Sequence, residues 1–145
     1  MGFYYEFITF DFDFQTLNFD FPLPMTIFTK NSSSKMLRTL IIDDESHIRK
    51  TLQGLLISFC PLVKVVSLDG TVKDGEKEIR QKRPGLLLLD IKMGDGTGFD
   101  LLNRFENIDF RIIFVTAWGK YAIKAFGFSA IDYLLKPLTL SLIHI

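Results

Sequence analysis

The stretch RPGLLLLDIKMGDGTGFD, residues 83–100, sets four consecutive leucines, Leu86 to Leu89, directly against the carboxylate of Asp90. A short unbroken apolar run is what a strand covered on both faces requires. A carboxylate at its end is not, because burying an unpaired charge is costly. Asp90 is therefore read as leaving the top of a buried strand for a crevice where something compensates its charge.

Outward from this stretch the pattern repeats. LRTLIIDD (37–44) is an apolar run stopped by two acids, and ESHIRKTLQGLLISF (45–59) brings Ile48, Leu52, Leu55, Leu56 and Phe59 to near helical spacing. VKVVSLD (63–69) reads as a second strand and the charged segment 70–83 as a second helix. GLLLLD (85–90) is the third strand, and TGFDLLNRFE (97–106) a third helix with Phe99, Leu102 and Phe105 along one side. RIIFVT (111–116), KYAIKAFGF (120–128) and AIDYLL (130–135) supply a fourth strand, a short fourth helix and a fifth strand stopped by Lys136-Pro137.

Strands alternating with helices predict an α/β fold of parallel, right-handed βαβ units covered on both faces. In the flavodoxin-like, doubly wound order 2-1-3-4-5, strands one and three are neighbours, and ligands sit between their carboxyl ends. Asp43 and Asp44 close strand one and Asp90 closes strand three. Three carboxylates brought together there repel one another unless a cation joins them. Oxygen ligands of this kind suit Mg²⁺.

The bulk numbers bound the rest. The chain has 145 residues, 48% of them hydrophobic, enough for one domain with a sizeable core. Its 17 basic and 17 acidic residues cancel, which gives no electrostatic sign of nucleic acid or of an anionic membrane. The single cysteine, Cys60, sits in the apolar run LLISFCPLV and reads as a core thiol, as expected in a reducing cytoplasm. No apolar run approaches the roughly 20 residues that span a bilayer.

Both ends differ from this core. Residues 1–35 hold eight of the chain's 15 phenylalanines in an alternating, strand-like pattern, followed by the polar KNSSSK. Met36 directly precedes the first convincing strand and is expected to be the natural start, with 1–35 being upstream sequence read in frame. The alternative is a native extension that adds an edge strand. The last six residues, LSLIHI (140–145), resemble a translated sequencing-library adapter, which would leave the domain cut short after Thr139; the alternative is an ordinary apolar C-terminus.

Four pieces, LIIDDE, LLLLDIKM, IIFVTAW and DYLLKP, stand in the order and spacing of a known family. Residues 36–139 resemble a two-component response-regulator receiver domain of the CheY-like kind. YAIKAFGFSAIDYLLKP is most similar to receivers of LytTR-type transcription regulators. The resemblance implies that Asp90 is the phosphoacceptor, a carboxylate nucleophile forming an acyl phosphate. It implies that Asp44, Asp90 and the backbone carbonyl of Lys92 ligate Mg²⁺, with Asp43 helping directly or through water. Lys136, the Thr116 hydroxyl and the backbone N–H of Ala117 would serve the phosphoryl oxygens. Thr116 and Tyr133 would form the switch, and Trp118 would rim the site. A cis Lys136-Pro137 bond is expected to aim Lys136 inward.

The implied partners are a sensor histidine kinase as phosphodonor, a second copy in a homodimer, and DNA only through a further C-terminal domain. Such a protein is a phosphoacceptor in signalling, not a turnover enzyme. The alternative within the family is a stand-alone receiver acting by protein–protein contact. A Mg²⁺-dependent phosphohydrolase of the haloacid-dehalogenase type would carry D-x-D on strand one, where adjacent acids stand here. An FMN binder would need a Ser/Thr/Gly-rich loop in place of DDESH. Gly85 and Gly94 depart from the family's usual aspartate and proline. No fifth helix follows Pro137, and this predicts an exposed sheet face.

Overall fold

The computed structural model describes residues 35–137; the expectations placed on the first 34 residues and on 140–145 lie outside the described residues. Strands β1 (Leu37–Ile42), β2 (Val63–Asp69) and β3 (Leu86–Leu89) alternate with helices α1 (Ser46–Phe59) and α2 (Val72–Lys82). A hairpin of β4 (Lys92–Met93) and β5 (Gly96–Thr97) then leads into α3 (Gly98–Leu102). Next come β6 (Arg111–Thr116), a 3₁₀ turn (Gly119–Tyr121), α4 (Ala122–Gly127) and β7 (Asp132–Leu135). The main sheet has the order β2-β1-β3-β6-β7 with every pairing parallel. Counting only its own strands, that is the expected 2-1-3-4-5.

Alternation along the strands feeds two cores. On one side Ile41, Leu86, Leu88, Ile113, Val115 and Leu134 pack with Ile48, Leu52, Leu55 and Leu56 of α1. On the other, Leu40, Ile42, Leu87, Leu89, Ile112 and Phe114 meet residues of α2, α3 and α4. Each such aliphatic side chain stabilises the fold by about 1.5–3 kcal/mol on burial, so the four leucines anchor the centre of the sheet. Gly75 lets α2 lie close on β1, since a Cβ there would fall 2.6 Å from Ile42 Cδ1.

Several expectations need correction. Among the described residues, the sheet positions Ile113, Val115 and Leu134 are buried where an exposed face was expected, with Leu37, Leu62, Val65, Leu68 and Ile131 packed at the margin of their cluster. Phe59 leaves the apolar stripe of α1 and is 39% exposed, because the helix ends there. The third helix stops at Leu102 rather than 106. Its start is fixed by a capping box, Thr97 with Asp100, and Phe105 then turns away to meet Phe110 edge-on at 5.9 Å. The fourth helix splits into the 3₁₀ turn and α4.

An acidic crevice at the carboxyl edge of the sheet

The register brings the strand ends level. Ile42 lies opposite both Leu89 of β3 and Asp69 of β2, so Asp43 and Asp90 each stand one residue beyond a paired position. The Asp43 N–H donates to the Asp69 carbonyl and the Asp90 N–H to the Ile42 carbonyl, both at 2.9 Å. The two backbones that carry the acids are thus pinned before any side chain is considered. Arg49 from α1 adds a 2.6 Å hydrogen bond to the Asp43 carbonyl.

Into the resulting space the structure brings Asp43, Asp44, Glu45 and Asp90, with one carboxylate oxygen from each lying within 4.8 Å of the others. Asp43 and Asp90 are buried, whereas Asp44 and Glu45 are exposed. Asp90 is only 5% exposed, more enclosed than a residue simply leaving a strand would be, because Lys136 covers it. Asp90 Oδ1 accepts the Ile91 N–H at 2.7 Å, which fixes the plane of the carboxylate and leaves Oδ2 facing the crevice.

Lys136 reaches in from beyond β7. Its ammonium lies 2.7 Å from Asp43 Oδ2, 3.0 Å from Asp90 Oδ2 and 3.1 Å from Glu45 Oε1. The Lys136-Pro137 peptide bond is cis, as expected. The Lys136 N–H donates to the Thr116 carbonyl at 2.8 Å, tying this residue to the end of β6. Burial pushes the ammonium's pKa down, but the hydrogen bond to Asp43 and the charges of Asp90 and Asp43 outweigh it and hold the pKa well above the ordinary lysine value. Asp43 is pushed up to about 6 by burial, against the lowering influence of Lys136 and the Glu45 N–H.

The donor set fits a hard divalent cation. It is all oxygen, rich in carboxylate and open to water on the Asp44 and Glu45 side, as Mg²⁺ requires. Asp43 Oδ2 is buried against the Lys136 ammonium at 2.7 Å, so the cation site and the lysine share this carboxylate.

Other expected site residues surround this cluster. Thr116 is fully buried at the end of β6, and its hydroxyl accepts the Trp118 N–H at 3.4 Å. Ala117 follows in an exposed loop. The Lys92 ammonium lies 4.0 Å from the centre of the Trp118 ring, which places Trp118 beside the hairpin and at the rim. Tyr133 is half-buried next to Phe114, and its hydroxyl donates to the Trp118 carbonyl in an exposed hydrogen bond.

Sequence reasoning did not single out Glu45, Arg49, Asp95 or Gly98. A third consecutive acid after Asp43 and Asp44 was a visible signal for Glu45. Gly98 is required by close approach: a Cβ there would fall 2.5 Å from the Asp90 carbonyl oxygen.

Residues 39–145 match the response regulator receiver domain family. The chain belongs to that family. This receiver is 36% identical to the sensory transduction protein LytT of Bacillus cereus over 104 residues, covering 70% of the chain and 42% of that protein. It is 41% identical to an uncharacterised response regulatory protein of Vibrio parahaemolyticus, with the same coverage. Among solved structures, the response regulatory domain of protein mrkE from Klebsiella pneumoniae matches with a TM-score of 0.65 at 26% identity, over 72% of this chain and 86% of that one. The receiver spans about two-fifths of the length of the curated relatives it matches. No helix among the described residues is long and apolar enough to cross a membrane.

Proposed function

We propose that this receiver is a phosphoacceptor switch of a two-component system, with Asp90 accepting a phosphoryl group from a sensor histidine kinase in the cytoplasm. The observation that carries this reading is the position of Lys136, held against both Asp43 and Asp90 at the one rim where the acids gather.

An oxygen of the Asp90 carboxylate bonds to phosphorus while the bond from phosphorus to the donor breaks, and the bonding pair departs with the donor. Little covalent work is asked of the protein beyond positioning and charge neutralisation. Asp43, Asp44, Asp90 and the backbone carbonyl of Lys92 would hold Mg²⁺. When bound, the ion neutralises charge on the phosphoryl oxygens. Lys136, already beside Asp90 Oδ2, places a compact positive charge where a phosphoryl oxygen arrives. The Thr116 hydroxyl and the Ala117 N–H serve the other oxygens.

The output follows from the Trp118 loop. Phosphorylation adds close to two negative charges, and Thr116 is drawn toward them. Tyr133 is bonded to the carbonyl of Trp118, two residues further on, so a shift of Thr116 moves the partner that Tyr133 holds. The face carrying α4 and β7 then changes its affinity for partners by population shift.

The likeness to LytT proteins supports a regulator in which a separate C-terminal domain contacts DNA; a homodimer is the assembly we propose for it. The second reading is a stand-alone receiver acting through protein contacts. Asp90→Asn is expected to abolish formation of an acyl phosphate from a small phosphodonor and Mg²⁺, measured by intact mass. Undiminished labelling of the variant would place the acceptor elsewhere.

A further inference from the structure

The rim of the crevice is closed into a ring by one side chain outside the acid cluster. Asp95, at the tip of the β4–β5 hairpin, accepts the Val72 N–H at 2.8 Å and the Lys73 N–H at 3.1 Å, one on each carboxylate oxygen. Those are the first two residues of α2, whose Thr71 hydroxyl takes the N–H of Asp74. From Thr71 the chain runs back through Gly70 to Asp69, which accepts the Asp43 N–H. From Asp95 it runs back through the hairpin to Asp90, whose N–H meets Ile42. Both acid-bearing strand ends and Lys92 therefore lie on one closed circuit. Asp95 is the side chain that completes it.

The hairpin needs that restraint. It has only two residue pairs, Lys92 with Thr97 and Met93 with Gly96, and a ribbon of this size is marginal alone. Its tip contains Gly94 and Gly96, and nothing lies within 4 Å of where a Cβ on Gly94 would be. Gly98 fixes the far end through its N–H to the Ile91 carbonyl at 2.7 Å. Between these points, Asp95 is the side chain that ties the tip to another element.

We propose that Asp95 is a positioning residue for the divalent-cation site: by binding both N–H groups at the start of α2 it holds the hairpin that offers the Lys92 carbonyl to the ion. This rests on the reading of Asp43, Asp44, Asp90 and Lys92 as the Mg²⁺ ligands. Partners that orient metal ligands commonly change affinity by about 10- to 100-fold when removed.

The test compares Asp95→Ala, Asp95→Asn and Thr71→Ala in the whole chain, with Mg²⁺ binding measured by calorimetry and folding by thermal melting. Thr71→Ala removes a cap from the same helix without touching the hairpin. Asp95→Ala is expected to weaken Mg²⁺ binding about tenfold, Asp95→Asn by less, since an amide oxygen keeps one acceptor, and Thr71→Ala to lower the melting temperature with Mg²⁺ affinity unchanged. Parent-like affinity in Asp95→Ala overturns the proposal, as does an equal loss in Thr71→Ala, which would trace the effect to the helix alone. Should Asp95→Ala not fold, Asp95→Asn decides, and parent-like affinity there overturns it. Absence of Mg²⁺ binding by the parent chain sinks the phosphoacceptor reading itself, and this inference with it.

Discussion

Asp69 and Asp90 invite comparison. Each stands at the carboxyl end of a neighbour of β1, and they are 8% and 5% exposed. Asp90 has the Ile91 N–H on one oxygen and the Lys136 ammonium beside the other. Asp69 is hydrogen-bonded by Ser67, but its Oδ2 is buried with no hydrogen-bond partner, and Glu78 and Asp74 add like charge. Burial accordingly raises its pKa. The two carboxylates thus differ in direct contact with a cation: the Lys136 ammonium lies 3.0 Å from Asp90 Oδ2, whereas Lys82 acts on Asp69 through its charge alone. Enclosure alone makes an acid costly to ionise; enclosure beside an ammonium offsets that cost.

The strongest way to break the contrast is Lys136→Met, which puts Asp43 and Asp90 into the condition of Asp69. Removing one partner of a buried ion pair costs about 3–5 kcal/mol, and the opening toward Asp44 and Glu45 lets water reduce this. A loss of about 2–3 kcal/mol at pH 7 is expected in urea unfolding, diminished by added Mg²⁺. Unchanged stability would mean that water already screens the pair.

Gly98→Ala sharpens the contrast by moving Asp90 without altering any charge. The new Cβ would meet the Asp90 carbonyl oxygen at 2.5 Å and Leu89 Cγ at 2.9 Å, so backbone must shift. Overpacking of this kind costs about 1–3 kcal/mol. A lower melting temperature with unaltered stability of Asp69→Asn relative to its parent would show that the two acids are independent.

Asp69→Asn is the smallest change. With its folded-state pKa raised, Asp69 favours the fold fully below about pH 4, its unfolded value, and that contribution disappears as pH rises through the folded value. The asparagine variant should therefore match the parent near pH 4 and exceed it by about 1 kcal/mol at pH 7. Denaturant titrations at the two pH values check this; a destabilised variant at pH 7 would reveal a partner for the second oxygen.

Most of this architecture was legible because its signals are long or repeated. The Leu86–Leu89 run and the alternation of strands with helices point to a parallel sheet, Asp43, Asp44 and Asp90 were readable as a set because each closes a strand, and Lys136 joined them through the family resemblance. What escaped was short or relational. Two-residue strands carry no periodicity, so the β4–β5 hairpin was not foreseen, nor was Asp95, whose partners lie 22 and 23 positions away. The early stop of α3 depends on Phe105 meeting Phe110, a tertiary contact that outweighs helical spacing. The burial of Asp90 depends on how Lys136 folds over it, which no local pattern encodes.

Lys136 touches the ends of β1 and β3 through its ammonium and the end of β6 through its own N–H, while standing directly after β7. One residue therefore samples the relative alignment of four strands at once. A slip of any strand by a single position, roughly 3.3 Å, would break at least one of those contacts. The pocket thus registers the assembly of the whole sheet: a copy with one misaligned strand would lose the contacts that hold Lys136 against the acids.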